Sequence, residues 1–315
     1  MDTREHRPDL EALDYKRPGN LTDTLFPMLG RAVRQGTLYY QDLQADAAAQ
    51  TGRTAGAAPT ETTMADAKTT YNLENDEFIA RIKIPDAEIA GLGGLDAAQQ
   101  SAARRGKRGI GVAIEDLTVA NILANGSVTY VDILASLIGA VDTGVGTLLD
   151  QGADGPIAFC CSRRIFSRIK RYAEIIERMK FTGVLPSGIT DVRGISAAQL
   201  AAALNVDEVR IGPDTEWYTH AAGYQDRAAL VVLPDGGMNP NETPQVGRTA
   251  WFSPDGTTPA AGALFECHSY YSEEKLSEMV DVRAYAEQHV LNPELIYGLD
   301  GIDELNAVIT TTTTV

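Results

Sequence analysis

Residues 47–72, AAAQTGRTAGAAPTETTMADAKTTYN, hold almost no large apolar side chain. They separate two strand-like stretches, TLYYQDL (37–43) and EFIARIKIP (77–85). Connections inside compact domains are short, and a structureless insert of this length is rare. If 37–84 is one hairpin, each leg has about 24 residues, and at about 3.3 Å per residue an extended tip stands roughly 80 Å from its root. A compact body of about 230 residues has a radius of gyration of only about 17 Å. Even half that reach carries the tip beyond the chain's own body. A lone two-stranded hairpin is marginal in water, and Ala, Gly and Thr offer little to fold this one. Two readings stay open: a disordered surface loop, or an arm ordered by a neighbouring copy of the same chain. Residues 1–24, polar and carrying Pro8, Pro18 and Gly19, read as a second arm in need of the same explanation, with LFPMLGRAV (25–33) as its apolar anchor.

The rest of the chain alternates between periods. EFIARIKIP places Phe78, Ala80, Ile82 and Ile84 on one face and Ile79, Arg81 and Lys83 on the other, which predicts a half-buried strand ended by Pro85. Residues 96–124 predict a long helix with Asp96 as N-cap and Ile110, Ile114, Leu117 and Ala124 on its apolar stripe. Gly106, Gly109 and Gly111 each weaken it by about 1 kcal/mol relative to alanine, which leaves room for a kink or break. A second helix is predicted from Thr129, where TYVD matches a capping box with Asp132, and Val131, Leu134, Ile138 and Val141 form its stripe. PIAFCC (156–161) predicts a buried strand, followed by one helix over 163–180 that buries Ile165, Ile169, Tyr172, Ile176 and Met179. SAAQLAAALN (196–205) is a helix capped by Ser196 and Gln199. EVRIG (208–212) and AALVVLP (228–234) are strands, and 235–262 is loop around the strand-like RTAWF (248–252). From 263 onward ALFECHSYY, MVDVRAYAEQHVL and ELIYGLDGI read as strands. No repeat of about 20–50 residues is visible, which argues against a solenoid. The pattern predicts an α+β fold of two interlocked lobes, with a central α/β unit set between a long helix and late strands.

Charge and motifs bound the chemistry. Asp plus Glu number 43 against 27 Lys plus Arg, a net charge of −16. Such acidity disfavours a reader of nucleic-acid sequence, though not a protein that merely surrounds nucleic acid. Cys160, Cys161 and Cys267 fit a reduced compartment without a disulfide framework. No run of about 18 apolar residues predicts a membrane helix. The charged start lacks a secretory apolar segment, so synthesis in the cytosol is expected. GLGGLD (91–96) lacks the third glycine of the dinucleotide fingerprint and reads as a turn before the helix. A cysteine nucleophile would need Cys160 or Cys161 beside His220, His268 or His289, whereas buried structural cysteine is commoner. Cys267 and His268 make a poor metal pair, because neighbours in a strand diverge. No catalytic residue, cofactor or metal site is assigned, and the chain is not expected to be an enzyme. Arg104, Arg105, Lys107 and Arg108 form a basic cluster that could face solvent, a neighbour's acidic residues or phosphates. Arg163, Arg164, Arg168, Lys170 and Arg171 read as the solvated side of their helix.

Over roughly 20–305 the order of elements resembles the major capsid proteins of tailed bacteriophages, with their Hong Kong 97-like fold. LFPMLGRAVRQGTLYYQDL resembles the apolar anchor and first strand of that family's extended loop, and RTAGAAPTE its small-residue tip. TTYNLENDEFIARIKIPDAEI looks like the strand returning toward the spine helix, and AARRGKRGIGVAIEDLTVANIL lies where that helix lies. FCCSRRIFSRIKRYAEIIERM is similar to a strand and helix of the axial lobe, and VGRTAWFSP to a late aromatic strand. The glycines of the spine segment depart from the family's pattern. The resemblance implies an N-terminal arm (1–36), an extended hairpin (37–85), a spine helix (86–125), an axial domain (126–262), peripheral strands (263–309) and a tail (310–315). It further implies a structural head protein whose many copies form an icosahedral shell around double-stranded DNA, assembled in the host cytoplasm and carried in the virion. No membrane is involved. With no long N-terminal extension, a separate scaffolding protein is expected, alongside portal and decoration proteins. The alternative within the same fold is an encapsulin-like nanocompartment with enzyme cargo; outside it, a cytosolic α/β enzyme with a disordered loop. Candidate intersubunit contacts are Leu25, Phe26, Tyr39, Tyr40, Arg53, Pro59, Lys68, Tyr71, Arg104, Arg105, Lys107 and Arg108. Loops 183–195 and 235–247 are candidates for contacts around the shell axes. Some family members join Lys to Asn covalently; Lys68 with Asn292 or Asn306 could be offered, but no acidic catalyst is identified, and loop overlap alone is the expectation.

Overall fold

Two sheets share one long helix. A computed structural model describes residues 5–11, 13–14, 21–29, 34–40, 67–73, 77–125, 127–130, 136–181, 195–212, 227–234, 244–252 and 264–302. In the first sheet the central strand is β11 (Ser277–Val290), the longest of the described strands. It pairs antiparallel with β10 (Glu266–Ser272) on one side. On the other side it pairs with β4 (Glu77–Pro85) along its first part and with β9 (Gly247–Phe252) along its second. The short β1 (Glu5–His6) extends β10. The predicted alternation holds in β4, where Ile79 is half exposed and Ile84 is buried.

The helix α4 (Leu95–Ala124) runs 30 residues without a break. Its buried positions come in pairs, 98/99, 102/103, 106/107, 110/111, 114/115, 118/119 and 122/123. A step of four residues turns about 400° at about 100° per residue, so the buried face creeps roughly 40° per step around the helix. The first half therefore packs on the first sheet: Ala98, Ala102, Ala103, Ile110 and Ile114 join Val280, Val282, Ala284 and Ala286 of β11. Val119, Ile122 and Leu123 belong to the second core. This corrects two expected positions: Ala124 is exposed and Leu117 only half-buried. The glycines do not break the helix. A Cβ on Gly106 would stand 2.6 Å from Val282 Cγ2, so glycine lets helix and sheet approach. Asp96 is no N-cap; Gly94 holds that position, with φ 103°.

The second sheet has the order β5 (Ser127–Tyr130), β12 (Ile296–Asp300), β8 (Ala228–Val232), β6 (Ile157–Ser162), β7 (Glu208–Gly212). It mixes parallel pairs, β5 with β12 and β6 with β7, with antiparallel ones. β6 and β8 are buried along their whole length, as their unbroken apolar runs require. Helices α5 (Leu137–Asp150), α6 (Arg163–Ile169), α7 (Ala173–Phe181) and α8 (Ala197–Leu204) pack into this core beside the end of α4. The Ser196–Gln199 capping box is present.

Four expectations need correction. The strand opposite β2 (Gln35–Tyr40) is β3 (Ala67–Asn72), inside the supposed structureless stretch, and not 77–85, which pairs along its edge with β11 and packs its apolar face on α4. Thr129 lies in a strand, and Ser136 caps α5 by accepting from the Gly139 N–H; Val131, Asp132 and Leu134 lie outside the described residues. The predicted helix 163–180 is two helices, because the chain tightens into short-range hydrogen bonds at Arg171 and Tyr172, and Ile175 replaces Ile176 in the core. Finally, β9 joins the first sheet and β12 the second, opposite to the expected division of strands.

Candidate assembly surfaces

The hairpin β2–β3 forms a separate two-stranded sheet, in register from Gln35–Asn72 to Tyr40–Ala67. Among the described residues its root packs on the body of the chain. Tyr71 and Leu73 pack with Ala250, with Leu29 and Phe252 against them. The Leu73 N–H donates to the Arg34 carbonyl at 3.0 Å. Tyr71 lies across Gly36, where a Cβ would stand 2.5 Å from the phenol oxygen. Away from the root, Leu38 is buried but Tyr39 is 48% exposed, and Thr37, Lys68 and Thr70 face solvent.

The N-terminal segment behaves differently. The Arg7 N–H bonds the Cys267 carbonyl, and Leu10 of α1 (Pro8–Glu11) is fully buried in the core of the first sheet. Leu21 and Leu25 of α2 (Leu21–Leu25) and the adjacent Phe26 are fully buried in the second core. Phe26 fits against Gly247, where a Cβ would stand 2.2 Å from its ring. Two buried ionisable side chains of α4 contact the segment. Lys107 Nζ donates to the carbonyls of Glu11 (2.6 Å) and Leu13 (2.9 Å), and burial lowers its pKa. Glu115 accepts from the backbone N–H groups of Leu21 (3.2 Å) and Thr22 (3.4 Å), and burial pushes its carboxyl up to about 7.

One end of the first sheet is acidic and apolar. The Tyr271 hydroxyl donates to Asp86 at 2.7 Å, and the Asp86 N–H meets the Leu276 carbonyl, tying the β10–β11 turn to α3 (Asp86–Ile89). Leu276 is 68% exposed and holds φ 43°, a conformation that costs a leucine. Leu92 and Leu95 are exposed between α3 and α4, and Asp86, Glu88, Glu273 and Glu274 are exposed beside these turns.

No family model matches the sequence, and no curated protein matches it. Solved structures do. A phage-related protein from Bordetella bronchiseptica superposes with a TM-score of 0.66 at 15% identity, covering 95% of this chain and 98% of that one. The capsid structure of cyanophage P-SCSP1u gives 0.56 at 10% identity over 92% and 90%. The SrpI encapsulin complex from Synechococcus elongatus gives 0.52 at 12% over 88% and 84%. This chain has the Hong Kong 97-like fold. The expectation is met at the level of the general fold, which is what likeness at this identity shows.

Within this Hong Kong 97-like chain the sequence-predicted contact residues divide. Leu25 and Phe26 are internal core and offer no contact surface, because α2 folds back onto the chain's own second core. Lys107 is likewise buried, its ammonium held by the N-terminal carbonyls; charge alone does not show which side of a helix faces inward. Arg104, Arg105 and Arg108 are exposed on the opposite side of α4. Tyr39 and Lys68 are exposed, Tyr40 half-buried and Tyr71 buried at the root. Arg53, Pro59, Asn306 and His220 lie outside the described residues. Asn292 is buried, its amide bonded to the Gln245 carbonyl at 2.9 Å, so it is no surface partner for Lys68. Of the axial loops, 195 and 244–247 are described.

The thiols are inert by environment. Burial pushes Cys160 and Cys267 up to about 12, and Cys161 is fully buried. His268 turns to Glu266 at 2.6 Å and His289 to Glu287 at 3.3 Å. Cys267 packs in the helix-facing core of the first sheet, and its neighbour His268 takes the other face of β10. Among the described residues no cluster of His, Cys, Asp or Glu is placed to hold a metal, and no helix is long and apolar enough to cross a membrane. The sequence carries a signal for the burial of Lys107 and of Glu115, which charge alone hides. Their signal was the four-residue step of small and apolar positions, into which both fall.

Proposed function

We propose that this chain is the major capsid protein of a tailed phage, a structural protein whose many copies close into an icosahedral shell around double-stranded DNA. The observation that carries the reading is the fold match over nearly the whole chain, which includes a cyanophage capsid. The incomplete hairpin supports it. A two-stranded sheet anchored at one end needs cover, and a neighbouring copy supplies it at Tyr39 and along Lys68. The exposed arginines 104, 105 and 108 meet acidic residues of a neighbour. Helix α4 serves as the spine, the sheet around β11 as the peripheral lobe, and the unit around β6 and β8 as the axial lobe with contact loops at 183–195 and 235–247. Contacts repeated around a closed point group bury every such surface, and obligate interfaces of this kind exceed about 2,000 Å². The shell encloses DNA without reading its sequence, and separate scaffolding, portal and decoration proteins complete it. Assembly proceeds in the host cytoplasm and ends in the virion.

The encapsulin match favours a second reading, a nanocompartment with protein cargo. Electron microscopy of particles made by the expressed chain, with nucleic-acid and protein analysis of their contents, separates the two. Closed shells that package DNA in the phage context support the capsid. A dedicated cargo protein supports the nanocompartment, and a small oligomer at all concentrations removes both. Deleting 47–66 should leave a soluble subunit that forms no stable shell; normal particles from that deletion would refute the arm.

A further inference from the structure

Glu115 sits in the middle of α4, 5% exposed, and no cation pairs with it among the described residues. Its two backbone acceptor bonds, at 3.2 and 3.4 Å, lie at and beyond the long end of N–H···O contacts, which run about 2.7–3.2 Å, and the Thr22 hydroxyl adds a third contact that favours the ionised form. They return little of the cost of burying the charge. Among the described residues the groups around it add no positive charge. Asp23 of α2 is an anion that disfavours ionisation further. On α4, Thr118 is neutral and shares a 2.7 Å hydroxyl contact with Thr22. On β11, Gln288 is neutral and bonds Thr118 at 2.8 Å. On β9, Arg248 is directed at Gln245, and on β7, Glu208 and Arg210 pair with each other.

We propose that the contact between Glu115 and residues 21–22 is a proton-sensitive latch, which holds the segment 21–29 on α4 when the carboxyl is protonated and loosens it when the carboxyl ionises. Burial supplies the physical cause, by raising the carboxyl from 4.5 to about 7. A carboxyl that holds its proton more tightly when docked favours docking fully below its free pKa, and that advantage is lost as pH rises to the docked value. Lys107 acts as a second clamp some two turns away, so loosening at Glu115 frees 21–29 before 5–11.

Hydrogen exchange on the full-length chain tests this, read at the amides of Leu21–Leu25 and corrected for the intrinsic pH dependence of exchange. From pH 5.5 to 8.5 the docking equilibrium should fall roughly 30-fold, levelling off above about pH 7. Protection in β8 should stay constant. Glu115→Gln should hold the segment docked with no pH dependence. Asp23→Asn should shrink the fall and move the plateau to lower pH. A flat wild-type profile, or a Glu115→Gln profile that falls like the wild type, overturns the proposal.

Discussion

The N-terminal segment and the hairpin β2–β3 share a sequence profile. Both are polar, carry Pro and Gly, and look like arms without a body. The structure separates them. The first supplies Leu10, Leu21, Leu25 and Phe26, all fully buried in the chain's own cores. The second supplies Tyr71 and Leu73 at its root and Leu38 beyond it, while Tyr39 stays half exposed. A few large side chains decide the matter. Each fully buried Leu or Phe contributes about 1.5–3 kcal/mol, enough to dock a short segment against its own subunit. A ladder of Thr, Lys and Ala docks only where another surface covers it.

That contrast can be broken at its strongest point first. Phe26→Ala should cost about 3–5 kcal/mol in denaturant unfolding of the subunit, because the ring is fully buried against Gly247. A cost below about 1 kcal/mol, the level of a surface change, would mean the segment is not part of the core. Leu10→Ala should cost about 2–4 kcal/mol and should open Cys267, which lies beneath the segment. In the wild type that thiol, held up at about 12 by burial, should resist iodoacetamide at pH values well below its pKa. Rapid alkylation of the folded wild type would contradict the docking of residues 5–11.

Gly247→Ala should cost about 1–3 kcal/mol by overpacking, since its Cβ would meet the Phe26 ring and, at 2.6 Å, the His289 carbonyl. Tyr39→Ser, on the exposed part of the hairpin, should change subunit stability by less than about 0.5 kcal/mol. Under the shell reading it should still lower particle yield, as measured by sedimentation. A large loss of subunit stability from Tyr39→Ser would show that the hairpin, like the N-terminal segment, is covered by its own chain.

Local pattern was readable where burial is one-sided and periodic. The alternation of β4, the buried run of β6 and the capping box at Ser196 all sit where the residues point. Pattern failed where partner choice mattered. β4 and β3 are both plausible mates for β2 by composition, and β4 goes to the first sheet, where its edge pairs with β11 and its apolar face packs on α4. The break after α6 lies inside a spacing that fits a continuous helix, and Tyr172, whose hydroxyl reaches the Ile302 carbonyl, shows the tertiary contact that accompanies it.

By itself the sequence determined the long helix, the strands β4, β6 and β8 and the α+β architecture, because periodicity and capping act over a few residues. It could also pose the question of the long polar insert. Only the tertiary structure decided which arm folds home, which sheet takes β9 and β12, and that Lys107 and Glu115 turn inward while Arg104, Arg105 and Arg108 turn out. Those outcomes depend on contacts between residues far apart in the chain, where volume and desolvation select among partners that local composition leaves equivalent.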